Sequence, residues 1–411
     1  MNLFKHFKNP SFVALVLLGF SAGLPFLLVG GTLSAWLDDA RVDIKVIGFF
    51  AWIGLVRTFK FLLAPLVQSL TFGSLGLRRG WILFGQLGVA TCLMLLSNSD
   101  PSQQLLQVAA LCVGMTTFSV IQDIAIDAWL LERSTPETAG VLAAGYTLGY
   151  RLALLTAGAG ALILADHLPW SSVYGLMSGL MLLGMFTTLC LQEPHVRRQP
   201  PVNPGLYQAV VEPFVEFFAR LGKPALLILL FITCFKLSDQ LIGVLANPFY
   251  KSLGFSKTEI AAISKVYGVL CSLGGAFVGG SLVAWLGLRW SLIFAAIGVA
   301  ASNLSYTWMS GMGHQVWALT TLISLENFAS GFAGVVFIAY LSSLVSRDHT
   351  ATQYALMTAL MSVPGVLLSG YSGVWVKQLG YGDFFAFTAL AGVPSVLLAW
   401  WVTRPVAAKS P

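Results

Sequence analysis

The chain has 411 residues, of which 57% are hydrophobic and only 10% charged, with a formal net charge of +6. A soluble domain carries about 25% charged residues, so water is not the main solvent of this chain. The basic excess is not gathered into a stripe, which argues against a nucleic-acid partner, and the length fits about twelve spans of ~20 residues with little room for a soluble domain.

The first apolar run, Ser11 to Trp36, follows Lys5 and Lys8. At about 25 residues it exceeds the roughly 7–15 of a signal-peptide core and reads as a retained first span. Further runs follow at 46–69, 80–97, 104–130, 138–165, 169–191, 225–249, 258–283, 290–309, 315–345, 351–376 and 384–402. Runs of this length satisfy their backbone amides as helices, whereas barrel strands would be about ten residues long and alternating. The expected fold class is all-α: a polytopic membrane protein of twelve transmembrane helices. Cys92, Cys112, Cys190, Cys234 and Cys271 all fall in apolar runs without metal or redox spacing and read as small hydrophobes.

Between the sixth and seventh spans, Gln192 to Pro224 contains six prolines and several charges, the composition of a linker. Its Val210 to Leu221 stretch reads as an interfacial helix. The expected organisation is therefore a six-helix bundle over 1–191, a cytoplasmic linker over 192–224 and a second bundle over 225–411. Gly76-Leu77-Arg78 closes the second span and Gly287-Leu288-Arg289 the eighth, a match at equivalent positions of the two halves. With the central linker, this resembles the two pseudo-symmetric six-helix bundles of major facilitator transporters. Loops on the side of the amino terminus hold thirteen Lys and Arg against five on the other side, which places both termini in the cytoplasm.

Nine charged residues lie in the interior of spans: Arg57, Lys60, Asp123, Asp127, Arg151, Lys236, Asp239, Lys265 and Glu326. Each costs about 2.5–3.5 kcal/mol on insertion scales, so each asks for a functional reason. Spans three, six, nine and twelve carry none, and these are the peripheral helices of the major facilitator arrangement. Asp123 and Asp127, four apart, share one helix face. Asp123 reads as a proton carrier or as the partner of Arg151, and Asp127 as a gate charge bonded to Arg78 or Arg79. Arg57 and Lys60, on one face at mid-depth, suit an anionic ligand or pair with Asp123 or Asp239. Lys236 and Asp239, three apart, can neutralise each other. Glu326, mid-span beside Asn327 with no other charge near it in sequence, is a further proton-carrier candidate. Tyr146 and Tyr150 offer an aromatic face beside Arg151 that could stack on sugar rings or serve packing alone. Gly145, Gly149, Gly158 and Gly160 on the same span favour close helix contacts.

The string QDIAIDAW from Gln122 to Trp129, followed by LGYRLALL from Leu148 to Leu155, closely resembles the AmpG muropeptide permeases of Gram-negative bacteria. So do GFSAGLP (Gly19 to Pro25), FKFLLAP (Phe59 to Pro65), GLRRGW (Gly76 to Trp81) and ATQYAL (Ala351 to Leu356), all in order along the chain. The resemblance implies proton-driven import of anhydro-muropeptides, GlcNAc-anhydroMurNAc and its peptides, across the bacterial inner membrane for cell-wall recycling. AmpG-like paralogues include siderophore importers, which keeps that cargo as the alternative. One departure stands out: the family's usual Asp at the end of the second helix is Gln68 here, which weakens the expected gate charge network.

The candidate substrate-binding residues are thus Arg57, Lys60, Gln122, Tyr146, Tyr150, Arg151 and Lys236. The candidate proton carriers are Asp123, Asp239 and Glu326, and the candidate gate residues are Arg78, Arg79 and Asp127. The expected mechanism is alternating access about a midplane site. No cofactor or metal is expected; the partners are a small glycopeptide, protons and the lipid bilayer, with the chain a monomer. An embedded enzyme would need a catalytic constellation, but all five histidines, His6, His167, His195, His314 and His349, lie outside the spans.

Overall fold

The computed structural model describes residues 10–63, 66–67, 75–134, 138–193, 212–222, 224–344 and 350–403. Every regular element among them is helical, as lipid requires of a chain that must bond its own backbone. Nine helical runs among the described residues are long and apolar enough to cross a membrane. The chain divides into two compact units, Met1–Arg198 with Ser256–Ala262, and Gln199–Phe255 with Ile263–Pro411.

Unit one contains α1 (Pro10–Val29), α2 (Gly31–Asp39), α3 (Ile44–Phe49), α4 (Gly54–Thr58), α5 (Arg78–Ser97), α6 (Leu105–Arg133), α7 (Ala139–Leu155), α8 (Ala161–His167) and α9 (Trp170–Cys190). Its core joins Leu15, Leu18 and Ala22 of α1 to Ile82 of α5 and to Ile121, Ala125 and Trp129 of α6. Helices α1 and α7 pack backbone to backbone: a Cβ on Gly19 would stand 2.1 Å from the Tyr146 carbonyl oxygen, and one on Gly149 1.8 Å from that of Val16. These glycines thereby fix the position of Tyr146 and Tyr150. The Ser256–Ala262 segment belongs to unit one through Lys257, whose Nζ donates to Asp39 (2.9 Å) and to the Ala165 carbonyl (2.7 Å).

The second span differs from the continuous helix expected over 46–69. It is broken into α3, a 3-10 turn at Phe50–Ile53, α4 and a further 3-10 turn at Lys60–Leu62. Gly48 and Gly54 weaken the helix from within, and Pro65 has no N–H to offer a helical ladder. Gln68 lies outside the described residues.

Unit two contains α10 (Glu212–Leu221), α11 (Pro224–Phe235), α12 (Leu237–Gly243) and α13 (Ala246–Ser252), then, after α14 (Lys257–Ile260) in the Ser256–Ala262 segment of unit one, α15 (Gly268–Ser310), α16 (Val316–Leu344), α17 (Thr350–Ser369), α18 (Ser372–Ala391) and α19 (Val393–Val402). Helix α15 is interrupted at Gly287 (φ 79°) and α18 at Gly380 (φ 80°), conformations that only glycine takes without strain. The core stacks Phe235 on Phe337 at 4.2 Å between centroids, with Phe231, Leu292, Ala296 and Val336 around them. Helices α15 and α16 meet on glycine as α1 and α7 do: a Cβ on Gly275 would lie 2.1 Å from the Phe328 carbonyl oxygen and one on Gly331 2.0 Å from that of Ser272. Helix α10, within the expected linker, buries Phe217 in this core and donates from Arg220 Nη2 to the Leu344 carbonyl at the end of α16 (2.6 Å).

Candidate functional site

In unit one several of the candidate side chains gather around Arg57 on α4. Its Nη1 donates to Asp123 Oδ2 at 3.2 Å and its Nη2 to Ser119 Oγ at 3.3 Å, two acceptors one turn apart on α6. The guanidinium also lies 5.0 Å from the centroid of the Phe26 ring, and Tyr150 is close enough to interact with it electrostatically. The pair is largely enclosed, with 27% of the Arg57 side chain and 15% of the Asp123 side chain exposed. Asp123 Oδ1 is buried and has no hydrogen-bond partner, so the carboxylate keeps an acceptor in reserve. Tyr146 and Tyr150 rest on the unit-one core with their rings 6.2 Å apart and tilted by 41°. Lys60 is exposed beyond the break at Phe59, and its charge reaches Asp123 and Asp127.

Arg57, Asp123, Tyr150 and Lys60, singled out separately in the sequence, thus form one cluster with Tyr146 and Asp127 beside it. Two candidates stand apart from it. Arg151 is exposed on the face of α7 that carries Leu148 and Leu152, so Asp123 has Arg57 as its partner rather than Arg151. Gln122 is fully buried on another face of α6, where its Nε2 donates to Ser21 Oγ (2.9 Å). Gln86 Nε2 donates to the same hydroxyl (3.1 Å), and its Oε1 accepts from Thr188 Oγ1 (2.9 Å), so this network ties α1, α5, α6 and α9 together. These bonds build Gln122 into the packing of the helices.

The residues expected at a gate make other bonds than those expected. Arg78 Nε donates to both oxygens of Glu132 (3.0 and 3.1 Å), and Asp127 is the partner of neither arginine. Glu132 is in the last turn of α6, level with the turn that delivers Arg78, whereas Asp127 is more than one turn deeper in the span. Glu193 accepts from the backbone N–H groups of Arg78 (2.7 Å) and Arg79 (3.0 Å), placing a carboxylate at the positive end of α5. Arg79 donates to the Thr188 and Leu189 carbonyls at the end of α9. Glu132 and Glu193 went unassigned in the sequence, where each reads as an ordinary loop charge; the adjacency of Glu132 to Arg133 at a span end was the only signal.

In unit two Lys236 is the non-helical residue between α11 and α12 (φ −104°, ψ 1°). Its Nζ donates to Asp239 Oδ2 at 3.1 Å and to Ser330 Oγ at 3.3 Å, so the local pair expected from the spacing forms and extends to α16. Glu326 Oε2 accepts from Asn327 Nδ2 at 2.6 Å. The fold surrounds Glu326 with charge that its sequence neighbourhood lacks: Asp239, Lys265 and Lys236 all lie within electrostatic range. Lys265, another of the intramembrane charges, sits in the π-helical segment Ala261–Tyr267 that leads into α15. Such segments are frequent at functional sites.

Each unit therefore holds basic and acidic side chains close together, Arg57 with Asp123 in unit one and Lys236 with Asp239 in unit two, an arrangement that can bind an anion or a proton. The described residues place no group of three or more His, Cys, Asp or Glu to hold a metal ion.

Comparisons with known proteins agree with this architecture. Residues 12–369 match the family model of the Major Facilitator Superfamily. The anhydromuropeptide permease of Escherichia coli K12 is 36% identical over 394 residues, covering 95% of this chain and 79% of that protein. The putative transporter AmpG 4 of Rickettsia felis is 30% identical, covering 99% of this chain and all of its own. Among solved structures, a D-xylose-proton symporter superposes with a TM-score of 0.71 at 14% identity over 99% of this chain and 100% of its own. The nucleoside transporter NupG gives 0.65 at 17% identity, over 98% of each chain. The chain belongs to the Major Facilitator Superfamily and, within it, to the AmpG family of permeases, and is a multi-pass membrane transporter rather than an enzyme.

Proposed function

We propose that this chain is a bacterial inner-membrane permease importing anhydro-muropeptides, GlcNAc-anhydroMurNAc and its peptides, from periplasm to cytoplasm for cell-wall recycling, with uptake coupled to protons. The observation that carries the cargo is the 36% identity to the Escherichia coli anhydromuropeptide permease across 95% of the chain. The unit-one cluster suits such a ligand. A peptide carboxylate takes the place of Asp123 on the Arg57 fork, since guanidinium binds any carboxylate in the same planar geometry. Asp123, displaced, takes up a proton, and Tyr146 and Tyr150 offer a ring face to the sugars. In unit two Glu326 and Asp239 hold the alternative proton positions, with Lys236 and Lys265 as their counter-charges. The chain crosses the membrane twelve times with both termini cytoplasmic, and access alternates between the two sides.

The test is uptake of labelled anhydro-muropeptide into energised membrane vesicles containing the protein, beside a ferric-siderophore control. Accumulation of the muropeptide that a protonophore collapses is the expected result. Accumulation of the siderophore alone, or a muropeptide gradient indifferent to the protonophore, overturns the cargo or the coupling respectively.

A further inference from the structure

The repeated Gly-Leu-Arg turn treats its arginine differently in the two units. Each turn begins on a glycine at positive φ, Gly76 at 80° and Gly287 at 79°, and delivers an arginine to the start of the following helical stretch. Arg78 is neutralised by Glu132, and the helix end behind it is capped by Glu193. Arg289 has no carboxylate of the described residues within ion-pair distance. Its guanidinium lies instead against two indoles, 5.7 Å from the Trp290 ring centroid and 5.7 Å from that of Trp400. The two rings meet edge to face at 6.2 Å, and the Arg289 Nε is buried with no hydrogen-bond partner.

Stacking occupies the faces of a guanidinium and leaves its rim of N–H donors available. Trp290 and Trp400 are each 44% exposed, and so is Trp401 beside them. Indoles at the ends of membrane helices sit at headgroup level, so the surface they expose is covered by lipid. A guanidinium at that level with no carboxylate partner among the described residues, lying against two rings, fits a planar pair of phosphate oxygens.

We propose that Arg289, Trp290 and Trp400 form a binding site for the phosphate of an anionic phospholipid headgroup. Its assignment to the inner leaflet rests on the cytoplasmic placement of the termini; the site itself does not depend on the transported cargo. The aromatic pair sets the orientation of the guanidinium, and the lipid phosphate supplies the countercharge that Glu132 supplies in unit one.

The test uses the full chain in nanodiscs of phosphatidylcholine with phosphatidylglycerol, released for native mass spectrometry that counts retained lipids. Wild type should hold phosphatidylglycerol in preference to phosphatidylcholine, and Arg289→Gln should weaken that preference about fivefold. Arg289→Lys, which keeps the charge and loses the stacked plane, should fall between them. A second measurement needs no charge variant: brominated phosphatidylglycerol should quench wild-type tryptophan fluorescence more than brominated phosphatidylcholine, and the difference should vanish in a Trp290→Phe, Trp400→Phe chain. Equal retention of phosphatidylglycerol by wild type and Arg289→Gln overturns the site, as does equal quenching by the two brominated lipids. Displacement of the lipid by inorganic phosphate overturns the lipid as its ligand in favour of a soluble anion. Neither readout involves uptake, so failure here leaves the muropeptide reading standing.

Discussion

Replacing Arg57 separates charge from geometry in the unit-one cluster. Breaking a fully buried ion pair by removing one partner costs about 3–5 kcal/mol, whereas an exposed pair is worth about 0.2–1 kcal/mol. With 27% and 15% of the two side chains exposed, the Arg57–Asp123 pair lies between these limits, and a coupling of about 2 kcal/mol is expected. A double-mutant cycle on Arg57→Gln and Asp123→Asn, read as unfolding free energy in lipid nanodiscs, measures it. The double variant should be less destabilised than the sum of the singles, because it leaves no unpaired charge in the span. Additivity within about 0.5 kcal/mol would show that the two charges do not support each other.

Arg57→Lys then asks what the planar fork contributes to the cargo. One ammonium cannot hold Asp123 and Ser119 as the two guanidinium nitrogens do, and it loses the stacked contact with Phe26. Loss of one charge-assisted hydrogen bond, about 1.5 kcal/mol, corresponds to roughly a tenfold rise in the KM for labelled anhydro-muropeptide. An unchanged KM in Arg57→Lys together with full uptake by Arg57→Gln would remove Arg57 from the binding site.

Other positions give sharper contrasts. Gly149→Ala should lower the thermal midpoint through an overpacking cost of about 1–3 kcal/mol, since its Cβ would stand 1.8 Å from the Val16 carbonyl oxygen, while Gly179→Ala, with nothing within 4 Å, should be neutral in the same melt. Glu132→Gln leaves Arg78 without its carboxylate and should destabilise by about 1–3 kcal/mol in denaturation of the nanodisc-embedded chain. Glu193→Gln removes only the charge at the start of α5 and should cost about 0.3–1 kcal/mol in the same measurement. Whichever of Asp123, Asp239 and Glu326 carries the proton should, as its amide variant, retain exchange of labelled for unlabelled muropeptide and lose uphill accumulation; retention of accumulation by all three would exclude them as carriers.

What was legible in the sequence follows from what is local. Apolar runs record the solvent around a helix, so hydropathy pointed to an all-helical membrane chain, which the nine long apolar helical runs among the described residues bear out, and intramembrane charge is costly enough to mark its own positions. Partner choice is a long-range property and was not written in spacing. Asp123 and Arg151 are near in sequence, yet Arg57, 66 positions away from Asp123, is the partner the fold supplies. Asp127 was the carboxylate expected to bond the gate arginines, but Glu132, in the last turn of α6, is the one that Arg78 reaches. Lys236 and Asp239 were predictable as a pair because both lie on consecutive turns of the same span.

Backbone irregularity was the least legible feature, and it is tied to the cations. Lys60 sits in a 3-10 turn beyond the break at Phe59, Lys236 is itself the break between α11 and α12, and Lys265 lies in a π-helical segment. Hydropathy registers each lysine but not the interruption around it. Asp123 and Glu326, by contrast, are carried on α6 and α16, unbroken helices of 29 residues each. Irregular backbone at membrane depth is tolerated only where protein or a water-filled cavity satisfies its freed carbonyls, and a nearby cation contributes to that satisfaction. Asp123 and Glu326 thus stand on regular helices, while Lys60, Lys236 and Lys265 stand on irregular backbone. In the proposed exchange of a carboxylate of the protein for one on its cargo, this division leaves the two acids at defined places on unbroken helices and the three lysines where the helix is irregular.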